Sequence, residues 1–166
     1  YLKGTYARDK DAVCAAMLAT EMAAYYKAKN MTLYDALQKL YEKYGYYGEK
    51  SQDVYMEGLD GIERRTNTMK NLRENPPKTI GGSPVAFVGD YLAGTITTLA
   101  DGSAKPTGLP KSDVLYYGLA DGDVAVIRPS GTEPKIKIYY LASAKDAAAL
   151  AAKLATYADE TDKLVK

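Results

Sequence analysis

The sequence contains no histidine and no tryptophan, and it has only one cysteine and one phenylalanine among its 166 residues. Without histidine, any acid–base chemistry has to use lysine, aspartate, glutamate or tyrosine. The single cysteine, Cys14, excludes an internal disulfide bond. The apolar helical pattern around Cys14 predicts a small core residue rather than a reactive thiol.

The sequence also has little net charge and no long apolar run. The formal net charge is +1, so nothing recommends a nucleic acid or a membrane surface as a partner. Neither a signal peptide nor an apolar run of transmembrane length occurs. The composition therefore predicts a soluble, cytoplasmic protein, long enough for one medium domain or for one small domain with a helical appendage.

The most informative segment is RPSGTEPK, from Arg128 to Lys135, which lies between two strand-like runs. An arginine can meet two oxygens of a phosphate group at once, and the hydroxyls of Ser130 and Thr132 can rotate toward the remaining lone pairs. Gly131 permits close backbone approach and a positive φ, so that successive N–H groups can form an anion-binding concavity. The segment therefore predicts a phosphate-binding loop.

An ordinary hairpin loop remains the alternative, since Ser, Gly, Thr and Pro are common turn residues. Glu133 counts against a phosphate site because it places a negative charge beside the anion. Lys135 and Lys137 count for it, since the period of two in a strand puts both on one face, from which they can point toward the loop.

Helical and strand patterns divide the chain into two parts. A helix is predicted from Asp11 to about Lys29, and a second one begins at Thr32, with Asp35 in the capping-box position, and ends at Gly45. From about Gly48 onward, strands and two helices alternate, which predicts an α+β domain with an antiparallel sheet flanked by two helices.

Within the second part, the segment DVYMEG is predicted as a strand, and a helix is predicted from Asp60 to about Glu74. The apolar spacing of that helix places four side chains inward: Ile62, Thr66, Met69 and Leu72. The segment AKPTGLPK is predicted as a loop, and the last helix is expected to open at Ser143 with Asp146. Asp121-Gly122-Asp123 is predicted as a hairpin turn rather than a metal site, since valine and alanine follow where further carboxylates are needed.

The segment RPSGTEPKIKIYY resembles the phosphate-binding loop of the α-D-phosphohexomutases, the superfamily of phosphoglucomutase and phosphomannomutase. YLKGTYARDKDAV resembles the segment that follows the sugar-binding loop in those enzymes, and NPPKTIGG and LPKSDVLYYGLADGDVAVIRPSGTEPK follow the bacterial phosphoglucomutase pattern in the same order. The resemblance implies the end of domain 3 (residues 1–47) and domain 4 (residues 48–166) of such an enzyme. Domain 4 of the family is similar to the TATA-binding-protein fold, with no implication of DNA binding.

The resemblance also implies a function and its residues. Such an enzyme interconverts hexose 1-phosphate and hexose 6-phosphate through a phosphoserine and a bisphosphate intermediate. The phosphate contacts implied here are Arg128, Ser130, Gly131, Thr132 and Lys137. Lys10, with Arg8, would assist proton transfer or hold phosphate, although a charged helix N-terminus explains the same residues.

Three motifs of the family are missing from the sequence: the phosphorylated serine, the magnesium loop and the sugar-selecting loop. The chain alone is therefore expected to be inactive and to hold no cofactor, while the parent enzyme is expected to use magnesium. The expected partners are a phosphosugar, glucose 1- or 6-phosphate by resemblance, and the missing N-terminal domains of the same protein. A stand-alone phosphosugar-binding or regulatory module is the alternative, and the sequence does not identify the sugar.

Overall fold

The computed structural model describes residues 9–165, and the chain divides into two compact units between Gly45 and Tyr46. The first unit contains α1 (Ala12–Lys27) and α2 (Leu33–Tyr44). The predicted capping box is confirmed, because Thr32 Oγ1 accepts from the amide of Asp35 while the Asp35 carboxylate accepts from the amide of Thr32. Gly45, with φ at 94°, ends α2 as predicted.

The apolar side chains of the two helices are largely exposed within this unit. Only Cys14 and Ala36 are buried among the described residues of the helices. The large exposed side chains include Val13, Met17, Met22, Leu33, Leu37, Leu40 and Tyr44. No helix in the described part of the chain is long and apolar enough to cross a membrane.

The second unit is one antiparallel sheet with two helices, which confirms the predicted fold class. The strand order is β1-β8-β7-β6-β3-β4-β5, and β2 pairs with β3. The strands are β1 (Tyr46–Tyr55), β2 (Thr79–Ile80), β3 (Ser83–Asp90), β4 (Thr95–Thr98), β5 (Ala104–Pro106), β6 (Leu115–Leu119), β7 (Val124–Pro129) and β8 (Lys135–Ala144). The helices are α3 (Gly61–Glu74) and α4 (Ala147–Val165).

The core lies between the sheet and these two helices, as the alternation of β8 shows. Ile136, Ile138 and Tyr140 are fully buried, while Lys137 and Tyr139 between them are half-buried on the opposite face. Tyr140 bonds through its hydroxyl to Thr161 of α4. Burial raises the pKa of the Tyr140 hydroxyl to about 12, so the residue stays neutral in the core.

Three predicted elements differ from the structure. The first strand begins at Tyr46 rather than at Asp53, because its early residues pair with the end of β8, from Tyr46 opposite Ala144 onward. The expected loop AKPTGLPK starts with a strand, since Ala104–Pro106 pairs with β4. Ser143 belongs to β8, and Asp146 alone opens α4 by accepting from the amide of Ala149 at 2.7 Å.

The inward face of α3 is also different from the prediction. Met69 and Leu72 are buried as expected, but Ile62 and Thr66 are exposed. The buried stripe instead continues toward the N-terminus through half-buried Arg65 to buried Gly61. Sequence hydrophobicity could not find this stripe, because its first two members are a glycine and an arginine.

Asp121-Gly122-Asp123 forms the turn between β6 and β7, as predicted, and Gly122 has φ at 90°. The carboxylate of buried Asp123 accepts from the Tyr157 hydroxyl at 2.7 Å and lies 2.5 Å from Nζ of Lys153. Both partners are on α4. The turn therefore fixes the last helix to the sheet.

Candidate functional site

The loop between β7 and β8 comprises residues 130–134 and lies at the end of a tight strand pair. Arg128 and Lys137 are directly opposite one another in this pair, so their side chains share one face of the sheet. The guanidinium of Arg128 is exposed and has no hydrogen bond or ion pair to any residue that the structure describes. It is therefore available to an external anion.

Two successive backbone amides of the loop have no acceptor among the residues that the structure describes. The amide of Ser130 donates to the carbonyl of Lys135 at 2.9 Å, and that of Glu133 donates to Ser130 Oγ at 3.3 Å. The amides of Gly131 and Thr132, between them, have no hydrogen-bond partner within residues 9–165. Adjacent free N–H groups of this kind form the concavity in which backbone binds anions.

Gly131 supplies space rather than an unusual backbone conformation. Its φ is not positive, contrary to the expectation from sequence. A Cβ at this position would meet no atom within 4 Å. The glycine therefore leaves the approach to the free amides open, and the loop does not require it for its own shape.

Ser130 and Thr132 differ in exposure. Ser130 is 8% exposed, and its Oγ already accepts the amide of Glu133, so that only its own hydroxyl hydrogen remains to be donated. Thr132 is exposed, and its hydroxyl has no partner in the described structure. Among the hydroxyls that the sequence predicts, Thr132 is the more accessible.

The carboxylate of Glu133 is neutralised by an ion pair with Lys135. Lys135 Nζ lies 2.7 Å from Glu133 Oε2 and 3.0 Å from Asp53 Oδ2 of β1. These bonds raise the pKa of Lys135 above its ordinary value, and the bond from Lys135 lowers the pKa of Asp53. Lys135 is therefore committed to internal ion pairs, and it removes the objection that Glu133 raises against an anion site.

Lys137 keeps part of its charge accessible. Its Nζ lies 3.6 Å from Asp53 Oδ1, and its side chain remains 33% exposed. The two carboxylates, Asp53 and Glu133, balance the charges of Lys135 and Lys137. The net positive charge of the face that carries Arg128 and Lys137 is therefore that of Arg128.

Arg65 of α3 holds the underside of the loop. Its Nη1 donates to the carbonyl of Ser130 at 2.5 Å and to the carbonyl of Glu133 at 3.0 Å. The amide of Met56 donates to the carbonyl of Pro134 at 2.7 Å. The sequence prediction missed Arg65, although its spacing from Met69 and Leu72 places it on the buried stripe of the helix.

The structure gives little information on Arg8 and Lys10, the two basic residues near the N-terminus that the resemblance implies as site residues. Arg8 lies outside the described residues. Lys10 is exposed, with its Nζ 3.9 Å from Asp9 Oδ1, and Asp11 caps α1 through the amide of Cys14 at 2.9 Å. The described residues at this point form a charged helix N-terminus.

In the described part of the chain, no group of three or more histidine, cysteine, aspartate or glutamate side chains could hold a metal ion. The two aspartates of the β6–β7 turn are bound to Lys153, at 2.8 Å from Asp121 and 2.5 Å from Asp123. Their oxygens are already used in binding α4.

Comparison with known proteins places this loop in a recognised domain. The model of the family described as phosphoglucomutase/phosphomannomutase, C-terminal domain, matches residues 93–157, which include the loop. A phosphoglucomutase of Staphylococcus aureus is 36% identical over 139 residues, covering 84% of this chain, and one of Staphylococcus haemolyticus is 34% identical over the same length. The chain spans 25% of the length of these relatives.

A solved structure has the same fold. The open form of pp63/parafusin, a phosphoglucomutase from Paramecium, superposes with a TM-score of 0.63 at 18% sequence identity. The match covers 96% of this chain and 28% of that protein. The resemblance inferred from the motifs is therefore confirmed by sequence and by fold.

Proposed function

We propose that this chain, which carries the C-terminal domain of the phosphoglucomutase/phosphomannomutase family, holds the phosphate group of a phosphosugar in the loop between β7 and β8. The observation that carries the proposal is the combination of two adjacent unpaired amides, Gly131 and Thr132, with the unpaired guanidinium of Arg128. The hydroxyls of Ser130 and Thr132 supplement these donors.

The charges around the loop support the proposal. Arg128 and Lys137 are like charges directly opposite one another across two strands, and Lys137 pairs with Asp53 while Arg128 has no counter-charge in the described structure. An anion above this face supplies that counter-charge. A phosphate monoester carries nearly two negative charges and three acceptor oxygens, and each hydrogen bond to a charged partner contributes about 1.5–3 kcal/mol.

All of these contacts reach phosphate oxygens and leave the sugar free. This suits a parent enzyme that transfers a phosphoryl group from a phosphoserine to a sugar phosphate. The resulting bisphosphate turns over, and its other phosphate returns to the serine. The loop then has to hold the non-reacting phosphate in both orientations, which requires contacts that ignore the sugar.

The remaining assignments belong to this proposal. Residues 1–47 are the end of domain 3, residues 48–166 are domain 4, and the observed division at Gly45 agrees with this boundary to within two residues. Arg8 and Lys10 assist proton transfer or hold phosphate in the assembled, cytoplasmic enzyme. The magnesium ion that the family uses is expected to be held by other parts of that enzyme.

We expect the loop to bind phosphate esters without distinguishing their sugars. Titrating the isotope-labelled chain with glucose 1-phosphate and glucose 6-phosphate is expected to shift the NMR signals of the Gly131 and Thr132 amides, with dissociation constants within about threefold of each other, which is less than 1 kcal/mol. Glucose alone is the control and is expected to shift neither signal. No saturable shift with either ester, or a shift with glucose, would refute the phosphate site.

The chain alone is expected to have no mutase activity, because it lacks the phosphorylated serine and the magnesium loop. A coupled assay with glucose 1-phosphate, supplied with magnesium and the activating bisphosphate, measures this directly. Turnover that rises in proportion to the concentration of the purified chain would show that its own residues carry out the phosphoryl transfer. The proposal that other parts of the enzyme supply the catalytic residues would then be wrong.

A further inference from the structure

Arg65 connects α3 to two separate points of the loop. The carbonyls that it binds, of Ser130 and Glu133, stand on either side of the free amides of Gly131 and Thr132. The side chain is half-buried and makes both bonds with one nitrogen, Nη1.

The direction of these bonds fixes the direction of the donors. In a trans peptide the carbonyl and the following N–H point in opposite directions. The carbonyl of Ser130 and the amide of Gly131 belong to one peptide unit, so a carbonyl directed at Arg65 turns the Gly131 amide away from the helix, toward solvent. The carbonyl of Glu133 accepts from Arg65 and from the amide of Lys135, and it is followed by Pro134, which has no N–H. Its bonds keep the negative end of this peptide unit away from an anion but orient no amide.

We propose that Arg65 is a positioning residue for phosphate: it does not touch the anion but orients a backbone donor that does, the amide of Gly131. The inference rests on the proposed function of the loop. In the absence of the guanidinium, the Ser130 carbonyl loses its charged partner, and the peptide unit is free to turn its oxygen toward the anion. Binding is then weakened although every phosphate contact remains in the sequence.

Arg64 provides a matched control on the same helix. It pairs with Asp60 at 3.0 Å and donates to the carbonyl of Glu57, and it makes no bond to the loop. Arg64→Gln removes one positive charge next to the position changed by Arg65→Gln. A difference between the two variants therefore reports the bonds to the loop rather than the net charge.

The test is an NMR titration of the chain and its variants with inorganic phosphate. Arg65→Gln is expected to move the Gly131 amide signal before phosphate is added and to weaken binding about tenfold, the equivalent of one charge-assisted hydrogen bond. Arg65→Lys keeps the charge and several donors, and is expected to restore part of the affinity. Arg64→Gln is expected to bind within about twofold of the unchanged protein, a difference of a few tenths of a kcal/mol.

Several outcomes would overturn the inference. Unchanged affinity and an unchanged Gly131 signal in Arg65→Gln would do so, and so would an equal loss in Arg64→Gln, which would indicate bulk charge alone. If a melting curve shows that Arg65→Gln is unfolded, the Arg65→Lys variant provides the test. Parental affinity of that variant for phosphate excludes a role for the planar guanidinium. An unchanged protein that does not bind phosphate refutes the proposed function itself, a result distinct from all of these.

Discussion

Arg128→Ala is expected to remove measurable phosphate binding by the chain. The guanidinium is the exposed, unpaired cation beside the free amides, and its planar fork can meet two phosphate oxygens at once. Loss of two charge-assisted bonds corresponds to about 3 kcal/mol or more, which is over a hundredfold in the dissociation constant. The measurement is the same titration with glucose 6-phosphate, followed at Gly131 and Thr132.

Arg128→Lys separates geometry from charge. Lysine keeps the positive charge but offers a single ammonium in place of the fork, so its affinity is expected to lie between those of the parent and the alanine variant. Lys105→Ala, which removes an exposed cation from β5, is the control and is expected to bind normally. Melting temperatures are expected to change little, since the Arg128 side chain makes no bond within the described structure.

The same substitutions test the loop in a complete enzyme. If the loop holds whichever phosphate is not reacting, both Arg128 variants lower kcat/KM with glucose 1-phosphate and with glucose 6-phosphate. Near-parental kcat/KM for both variants in either direction would remove the loop from the mechanism. Its residues would then form an ordinary turn.

Gly61→Ala is expected to destabilise the second unit by about 3 kcal/mol, the upper end of the cost of overpacking. A Cβ on Gly61 would overlap the backbone carbonyl oxygen of Met56 and lie 3.3 Å from Cβ of Pro134. Helix propensity favours alanine over glycine, by about 0.8–1 kcal/mol in a helix interior, so the expected sign is opposite to that of the propensity. Urea unfolding of the two proteins gives the difference directly.

Gly102→Ala is the companion variant for this measurement. Gly102 has φ at 70° in the exposed β4–β5 turn, and a Cβ there would meet no atom within 4 Å. Its expected cost is only that of the left-handed backbone, about 1–2 kcal/mol. A Gly61→Ala protein as stable as the parent would show that α3 can move away from Met56. The conclusion that α3 packs tightly against the Met56 backbone would then be wrong.

Features governed by neighbouring residues were predictable from the sequence. The capping box of Thr32 and Asp35, the end of α2 at Gly45 and the turn at Asp121–Asp123 are all confirmed, because each depends on bonds within a few residues. The strand-like run KIKIYYL, which follows the loop, is part of β8. Errors were concentrated where distant segments meet, as with β5 and the early part of β1.

The candidate site shows the same division. The sequence by itself determined the loop, its arginine, its hydroxyls and its resemblance to the phosphohexomutases, because residue types in a fixed order are a local property. Only the tertiary structure decided which donors remain free. Lys135 pairs with Glu133 and with Asp53 of β1, and Arg65 of α3 binds two of the loop carbonyls. Arg65, for example, is 65 residues away from Ser130 in the sequence. Strand pairing and helix packing bring them together, and no local pattern encodes that contact.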